Sequence, residues 1–371
     1  MMDQADDFRF MALALRLAER GLYTTDPNPR VGCVLVKDNE VIGQGWHERA
    51  GEAHAEIMAL RDTGPSVQGA TAYVSLEPCC HTGRTSPCSD ALIEAGVKRV
   101  VVAMEDPNPQ VAGNGVSQLR EAGIDVDVGV MSAQAEALNP GFVQRMRHGR
   151  PFVRCKMAMS LDGRTALASG ESQWITGEPA RQDVHHLRAR SSAVVTGIST
   201  VLADDPSMNA RLENKEVLQP ARVILDSQLK ISLDARILSL PGRVIVCTTP
   251  DAVKQNEEKI SNLKAAGAEL VQLKNENDRI SLPALLMFLN AENFNEILLE
   301  TGATLSGAFM RAGLIDEIVI YMAPLLMGDK ASSLFSLPDI SGMGDVCKLE
   351  ILDVKAVGKD WRIIAKPELR V

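Results

Sequence analysis

Apolar residues in the first third of the chain recur with two alternating periods. Over 8–20 they fall at helical spacing, and over 31–36 and 40–45 they form short runs joined at Asp38-Asn39, the layout of a strand hairpin. A helix is predicted at 53–62 and a strand at 72–76, ending in Glu77-Pro78-Cys79. The stretch 87–95 opens on Pro87 and stops at Gly96, as helices do. A strand at 99–104 runs into Glu105-Asp106-Pro107-Asn108, followed by a helix at 115–122 and a strand at 124–130. This alternation predicts a three-layer α/β domain with an inner sheet.

The pattern breaks at 139–151, which holds Pro140, Gly141, Gly149 and Pro151 among three arginines. A domain boundary is expected there, giving domains 1–146 and 147–371. At 371 residues, two domains are also the prior expectation. Strands are expected in the second domain at 152–159, 193–196, 222–226, 243–248, 297–300, 317–322 and 348–357. Helices are expected at 254–266 and 305–312, with a polar loop at 275–279.

Composition narrows the function. A formal net charge of −9 argues against a broad nucleic-acid or anionic-membrane surface, while leaving room for a small basic pocket for one phosphate. Aromatic residues make up 4%, too few for a strand-stacking platform. Seven scattered cysteines suit a reducing cytoplasm better than a disulfide framework. The N-terminal stretch carries Asp3, Asp6 and Asp7 and reads as an amphipathic helix, not a signal peptide. No apolar run is long enough to span a bilayer.

The strongest chemical signal is a split set of metal-ligand types: His54-Ala55-Glu56, then Pro78-Cys79-Cys80-His81, then Pro87-Cys88. One imidazole and two thiolates make a three-ligand zinc site with a fourth position open for water. Glu56, two residues past the histidine, is placed to move protons on that water. Zinc-dependent base deaminases carry this arrangement, although with two residues between the cysteines where this chain has eight. The longer loop brings His81 and Arg84 beside the metal, which fits a substrate carrying a phosphate; it also fits a tolerated insertion. A closed structural site, with Cys80 or His81 as fourth ligand, is the competing reading, and it leaves Glu56 without a role.

Further candidates lie at predicted strand ends, where α/β sheets gather ligands. Asn28, Asp106 and Asn108 are such residues in the first domain, and turn chemistry alone also accounts for them. In the second, Glu300-Thr301-Gly302-Ala303-Thr304-Leu305-Ser306-Gly307 follows a strand and opens a helix, so its free amides can approach a phosphate, and a plain tight turn fits the run equally well. Trp174 is placed either to cover a flat cofactor ring or to cap the core. His185 and His186, in a basic helical stretch, are expected to be solvated.

Taken together, these motifs resemble the bifunctional deaminase-reductase family of riboflavin biosynthesis from about residue 7 to 366. The resemblance implies a cytidine-deaminase-like domain followed by a dihydrofolate-reductase-like domain, with Zn2+ and NADPH as cofactors. It implies deamination of a diaminopyrimidinone bearing a ribosylamino 5′-phosphate, then reduction of the ribosyl group to ribityl. By it, His54, Cys79 and Cys88 are the zinc ligands and Glu56 the proton shuttle. Asn28, Asp106 and Asn108 from their strand ends, and His81 and Arg84 from the loop between the cysteines, are expected as substrate contacts of the first site. Ala158, Trp174, Thr200, Asp204, Ser227 and the turn Gly302, Ala303, Thr304, Leu305, Ser306 and Gly307 are cofactor contacts. Ser172, Arg188, Met208, Arg211 and Glu300 are substrate contacts of the second site, with Arg188 and Arg211 as phosphate partners, and Lys156 is expected to contact the ring-opened sugar as a donor. The resemblance also implies a homo-oligomer, a dimer or tetramer. Two other classes compete: a nucleic-acid deaminase, which the acidic charge disfavours, and a non-enzymatic zinc-structured binding protein.

Overall fold

The computed structural model describes residues 4–63, 67–80, 87–109, 111–276 and 278–368. The chain divides into two units, Met1–Arg150 and Pro151–Val371.

The first unit contains α1 (Gln4–Ala18), β1 (Gly32–Lys37), β2 (Glu40–Trp46), α2 (Ala55–Asp62), β3 (Thr71–Val74), α3 (Cys88–Glu94), β4 (Arg99–Val102), α4 (Asn114–Glu121), β5 (Asp125–Val128), α5 (Ser132–Leu138) and α6 (Pro140–His148). The five strands form one sheet in the order β2-β1-β3-β4-β5. β1 is antiparallel to both neighbours, and β3, β4 and β5 run parallel. Side chains alternate across the sheet, so Val34 and Val36 meet residues of α1, α5 and α6, whereas Cys33 and Leu35 meet residues of α2, α3 and α4. This is the expected three-layer arrangement. The stretch expected to break the pattern at 139–151 instead holds α6. Pro140 starts that helix, where its missing N–H costs nothing, and Gly149 ends it in the left-handed conformation. The expected boundary after residue 146 therefore falls inside a helix.

The second unit contains β6 (Phe152–Ser160), β7 (Arg164–Ala166), α7 (Glu178–Arg190), β8 (Ala193–Gly197), α8 (Ile198–Asp204), β9 (Ala221–Leu225), α9 (Arg236–Ser239), β10 (Val244–Thr248), α10 (Pro250–Gln255), α11 (Glu257–Ala265) and β11 (Ala268–Gln272). It continues with β12 (Asn275–Glu276), β13 (Arg279–Ile280), α12 (Leu282–Ala291), β14 (Glu296–Leu299), α13 (Ala303–Arg311), β15 (Glu317–Ala323), β16 (Ser332–Ser333), β17 (Leu349–Val357) and β18 (Asp360–Pro367). Nine strands form its main sheet in the order β11-β10-β9-β8-β14-β6-β15-β18-β17. Strands β11 to β15 in that row are parallel, and the β17–β18 hairpin adds an antiparallel edge. After β8 the chain winds outward to β11. It returns through β14, between β8 and β6, and then winds the other way. The connections leaving β8 and β14 therefore run in opposite directions, a topological switch point of the kind at which such sheets take ligands.

Several elements of this unit escape the apolar pattern, α8 and β11 among them, and the expected loop at 275–279 holds the short strands β12 and β13. In α12, Leu-Pro-Ala-Leu-Leu-Met-Phe-Leu is apolar almost all round, so its helical period is hidden. β18 mixes Asp360, Arg362 and Lys366 with apolar residues. The stretch expected as one helix at 254–266 breaks at Asn256 into α10 and α11.

Candidate active sites

The first site is built at one end of the five-stranded sheet. His54 is the residue preceding α2, with an extended backbone (φ −75°, ψ 166°), while Glu56 lies in the first helical turn. That change of backbone lets residues two apart converge, which one helix face would not allow. Gly45 on β2 makes the close packing possible, since a Cβ there would lie 2.4 Å from Ala59 N and 2.7 Å from Ala55 O. Cys79 follows β3, and Cys88 is the first residue of α3.

His54 Nδ1 lies 3.5 Å from Cys79 Sγ and 3.3 Å from Cys88 Sγ. The three donor atoms all fall within 4.8 Å of one another. Zinc–sulfur and zinc–nitrogen bonds at the tetrahedral angle place nitrogen and sulfur about 3.5 Å apart. The donor set therefore fits zinc in both chemistry and spacing. Cys80 is not part of the group, and His81 and Arg84 lie outside the described residues. The Cys88 N–H donates to Cys79 Sγ at 3.4 Å. The Cys88 thiol, His54 and that amide hold the Cys79 thiol down at about 4, against the effect of burial. Burial, with the charge on Cys79, pushes the Glu56 carboxyl up to about 7. A carboxyl so placed both takes and gives a proton near neutral pH.

Two residues to which the sequence assigned no functional role brace this site. Glu77 is buried, and its carboxylate accepts from the N–H groups of Asp106 (3.0 Å), Gly113 (2.9 Å) and Val116 (3.1 Å). It ties the turn bearing Cys79 to the loop bearing Asp106 and Asn108. Gly115 completes the joint: a Cβ there would meet Pro78 O at 2.0 Å. His47, also buried, contacts Asn28 Nδ2 through Nε2 (3.0 Å) and Ala53 O through Nδ1 (3.1 Å). The two contacts together require the proton on Nδ1, and they anchor Asn28 to the loop before His54. The only sequence trace of these roles is polarity at a strand end. Asp106 Oδ1 accepts the Asn108 N–H at 2.8 Å, a turn contact.

The second site gathers at the carboxyl ends of the parallel strands. Glu300, buried just after β14, receives Arg188 in a two-pronged pair at 2.6 and 2.9 Å. Burial pushes the Glu300 carboxyl up, but Arg188 and Lys156 outweigh it and hold it at about 2. Lys156 is half-buried on β6, with Nζ 6.0 Å from the Tyr321 ring centre. Burial lowers its pKa, against the pull of Glu300. Arg211 is exposed, and burial and the Arg188 charge lower its pKa. Its backbone N–H donates to His185 Nδ1 at 3.3 Å. His185 itself is 6% exposed, so the expectation that it is solvated is wrong: α7 turns it inward among Ala180, Val184 and Ala189. Met208 is buried with a left-handed backbone (φ 51°).

Around this cluster, Ala158 and Thr200 are half-buried on β6 and α8. Exposed Asp204 accepts the Ser172 hydroxyl at 3.4 Å. Ser227 Oγ accepts the Ile280 N–H at 3.3 Å. Trp174 is 71% exposed under the Arg181 guanidinium, 4.7 Å from the ring centre, and so does not cap the core. In the turn after β14, Gly302 and Thr304 are exposed, and Gly302 gives α13 no side-chain cap. The first amides of α13 thus stay available for an anion such as a cofactor phosphate. Ser306 faces inward against Met157 Sδ (3.4 Å), and a Cβ on Gly307 would meet Ser336 O at 2.1 Å. The open part of the turn is therefore its first half.

Residues 4–104 match the cytidine and deoxycytidylate deaminase zinc-binding region, and residues 151–363 match the RibD C-terminal domain. The chain is 46% identical over 365 residues to the riboflavin biosynthesis protein RibD of Escherichia coli (strain K12), covering 95% of this chain and 97% of that one. The chain belongs to the RibD family. The same protein of Haemophilus influenzae is 46% identical over 376 residues, covering 98% of each chain. Among solved structures, Acinetobacter baumannii RibD superimposes with a TM-score of 0.92 at 47% identity, covering 99% of this chain and 100% of that one. A Thermotoga maritima protein described as a diaminohydroxyphosphoribosylaminopyrimidine deaminase and 5-amino-6-(5-phosphoribosylamino)uracil reductase superimposes with a TM-score of 0.85 at 33% identity, covering 98% and 99%.

As a RibD family member, this chain is a bifunctional enzyme of riboflavin biosynthesis, a zinc-dependent deaminase joined to an NADPH-dependent reductase. The two matched regions contain the two clusters just described. Among the described residues, no helix is long and apolar enough to cross a membrane.

Proposed function

We propose that the first site removes an amine from a diaminopyrimidinone bearing a ribosylamino 5′-phosphate, and that the second reduces the ribosyl group of the deaminated product. The observation that carries the first step is the convergence of one imidazole and two thiols beside the buried carboxyl of Glu56. In this reading His54, Cys79 and Cys88 hold zinc, which when bound supplies a Lewis acid that makes water nucleophilic near neutral pH. Glu56 takes a proton from the water that adds to the ring carbon and returns it to the departing amine. A carbon–oxygen bond forms, the carbon–nitrogen bond breaks, and ammonia leaves. Asn28, held by His47, and the Asp106–Asn108 turn, held by Glu77, orient the ring, with His81 and Arg84 as further substrate contacts.

In the second site NADPH supplies the hydride. The open first turn of α13 binds its phosphate, with Ala158, Trp174, Thr200, Asp204 and Ser227 lining the rest. The acceptor is the imine form of the opened ribosylamine. Lys156 gives the nitrogen its proton, and its lowered pKa suits that task. Glu300 keeps Arg188 fixed, and Arg188 and Arg211 face the substrate phosphate. Ser172 and Met208 complete the substrate wall. Glu56→Gln tests the assignment of the proton shuttle: ammonia release from the diamino substrate is expected to fall by about a thousandfold with zinc content unchanged. Retained release would remove Glu56 from the role.

We further propose a homo-oligomer, a dimer or tetramer, working in the cytoplasm. β17 is the sheet edge and exposes Ile351, Leu352 and Val354, with Trp361 of β18 beside them. An apolar edge of this kind favours pairing with a second copy. Sedimentation of the wild type against a charged variant at Ile351 tests it. All seven cysteines are free, which fits a reducing compartment.

A further inference from the structure

The segment carrying Arg211 has no secondary structure of its own, yet side chains hold its backbone at four points. Arg188 Nη1 donates to Asn209 O at 3.3 Å. Gln219 brackets Ala210, accepting its N–H at 3.1 Å and donating to its carbonyl at 2.9 Å. His185 Nδ1 accepts the Arg211 N–H at 3.3 Å. The Arg211 guanidinium then donates to the Asn209 side chain. Each clamp has a partner a helix or strand would otherwise supply.

The cost of this arrangement points to its use. Burial lowers the Arg211 pKa, and the like charge of Arg188 adds to the lowering. Glu300 neutralises Arg188 through its paired contacts, whereas Arg211 meets only the neutral Asn209 among the contacts described. A free arginine on a loose segment would swing away from that repulsion. Clamping its backbone keeps a cation available for a doubly charged group, and holding it in advance lowers the ordering cost of binding.

We infer that His185 and Gln219 are positioning residues for recognition of the substrate's phosphate monoester, acting by fixing the Asn209–Arg211 backbone. This rests on the proposed role of Arg211 as a phosphate partner. Neither residue touches the reacting carbon, so their loss weakens binding and leaves the chemical step alone. His185 works only with a bare Nδ1, which its buried place on α7 preserves.

The test uses the full chain, the deaminated phosphorylated substrate, and inorganic phosphate as a competitor of NADPH oxidation. His185→Phe and Gln219→Leu are expected to raise KM roughly tenfold and to weaken phosphate inhibition in proportion, with kcat within about twofold of wild type. His185→Asn, which restores an acceptor near the Nδ1 position, is expected to recover most of the loss. Thermal melting of each variant separates this from general loosening, which would lower kcat as well and would not be rescued by Asn. A fall in kcat at constant KM, or equal behaviour of the Asn and Phe variants with wild-type melting, overturns the inference. Arg211→Gln separates the two layers. If it alone weakens phosphate inhibition, the clamp is wrong and the phosphate reading stands. If it leaves inhibition unchanged, the phosphate reading falls and takes the clamp with it.

Discussion

The two sites reach the same precision by opposite means. In the first unit the chemistry rests on side chains of fixed type: the fold brings His54, Cys79 and Cys88, from the start of α2, the turn after β3 and the start of α3, within 4.8 Å of one another, with the buried Glu56 in the first turn of α2. In the second unit the reacting cofactor brings its own chemistry. The protein supplies strand ends, free amides and a balanced set of charges drawn from β6, α7, the 208–211 segment and the turn after β14. A metal centre tolerates few substitutes for its ligands, so it leaves a sharp trace in sequence. A site shaped by backbone and charge balance leaves a blurred one.

The largest contrast is expected from removing a metal ligand. Cys88→Ala should abolish zinc retention and reduce ammonia release by at least about a thousandfold. NADPH-dependent reduction of the deaminated compound should persist in the same protein. Zinc analysis alongside the two activity assays reads both halves at once, and loss of both activities would break the separation of the sites.

Next in size is the charge pair of the second site. Arg188→Met leaves Glu300 buried without its partner and should destabilise the reductase unit by about 3 kcal/mol in thermal or urea melts. The same carboxyl predicts a pH dependence. Its folded value of about 2 lies below the ordinary 4.5, so the unfolded chain takes up that proton first as the solution is acidified. Stability from the pair is thus present above about pH 4.5 and is lost as pH falls towards 2. In Arg188→Met that acid-sensitive portion should shrink, and an unchanged acid limb would count against the pair as its source.

A smaller effect is expected at the joint beneath the metal turn. Gly115→Ala forces Pro78 O away from a Cβ that would sit 2.0 Å from it. Overpacking of that kind costs about 1–3 kcal/mol. Deamination and zinc affinity should weaken while reduction stays as it was. Equal loss in both activities would mean that the joint serves general stability and not the metal site.

The legibility of the fold follows the same division. The strands β1, β3 and β4 of the first unit stand out as short apolar runs because the sheet buries them on both faces, and α1 shows its helical period because one face is buried. The candidate metal ligands His54, Cys79 and Cys88, which the fold brings together, could be read directly from the sequence. Glu77 could not, because its role depends on amides at Asp106, Gly113 and Val116 that only the folded chain brings near. α6 was hidden because Pro140 and Gly149 are breakers by composition and caps by position. In the second unit α12 was hidden by being apolar all round. His185 looked solvated because its neighbours on α7 are charged, yet the helix places it inward. The Gly302–Gly307 turn was visible as a run of small residues, but the sequence gives no sign that its second half is packed and its first half open.

The most direct test of two separate chemistries in one chain is mass spectrometry of the diaminopyrimidinone ribosylamino 5′-phosphate after incubation with the zinc-loaded protein, with and without NADPH. Without NADPH, the account predicts exchange of one amine for oxygen and no further change. With NADPH, it predicts that change together with the gain of two hydrogens. Deamination alone under both conditions would contradict the assignment of the second site, and an unchanged substrate under both would contradict the assignment of the first.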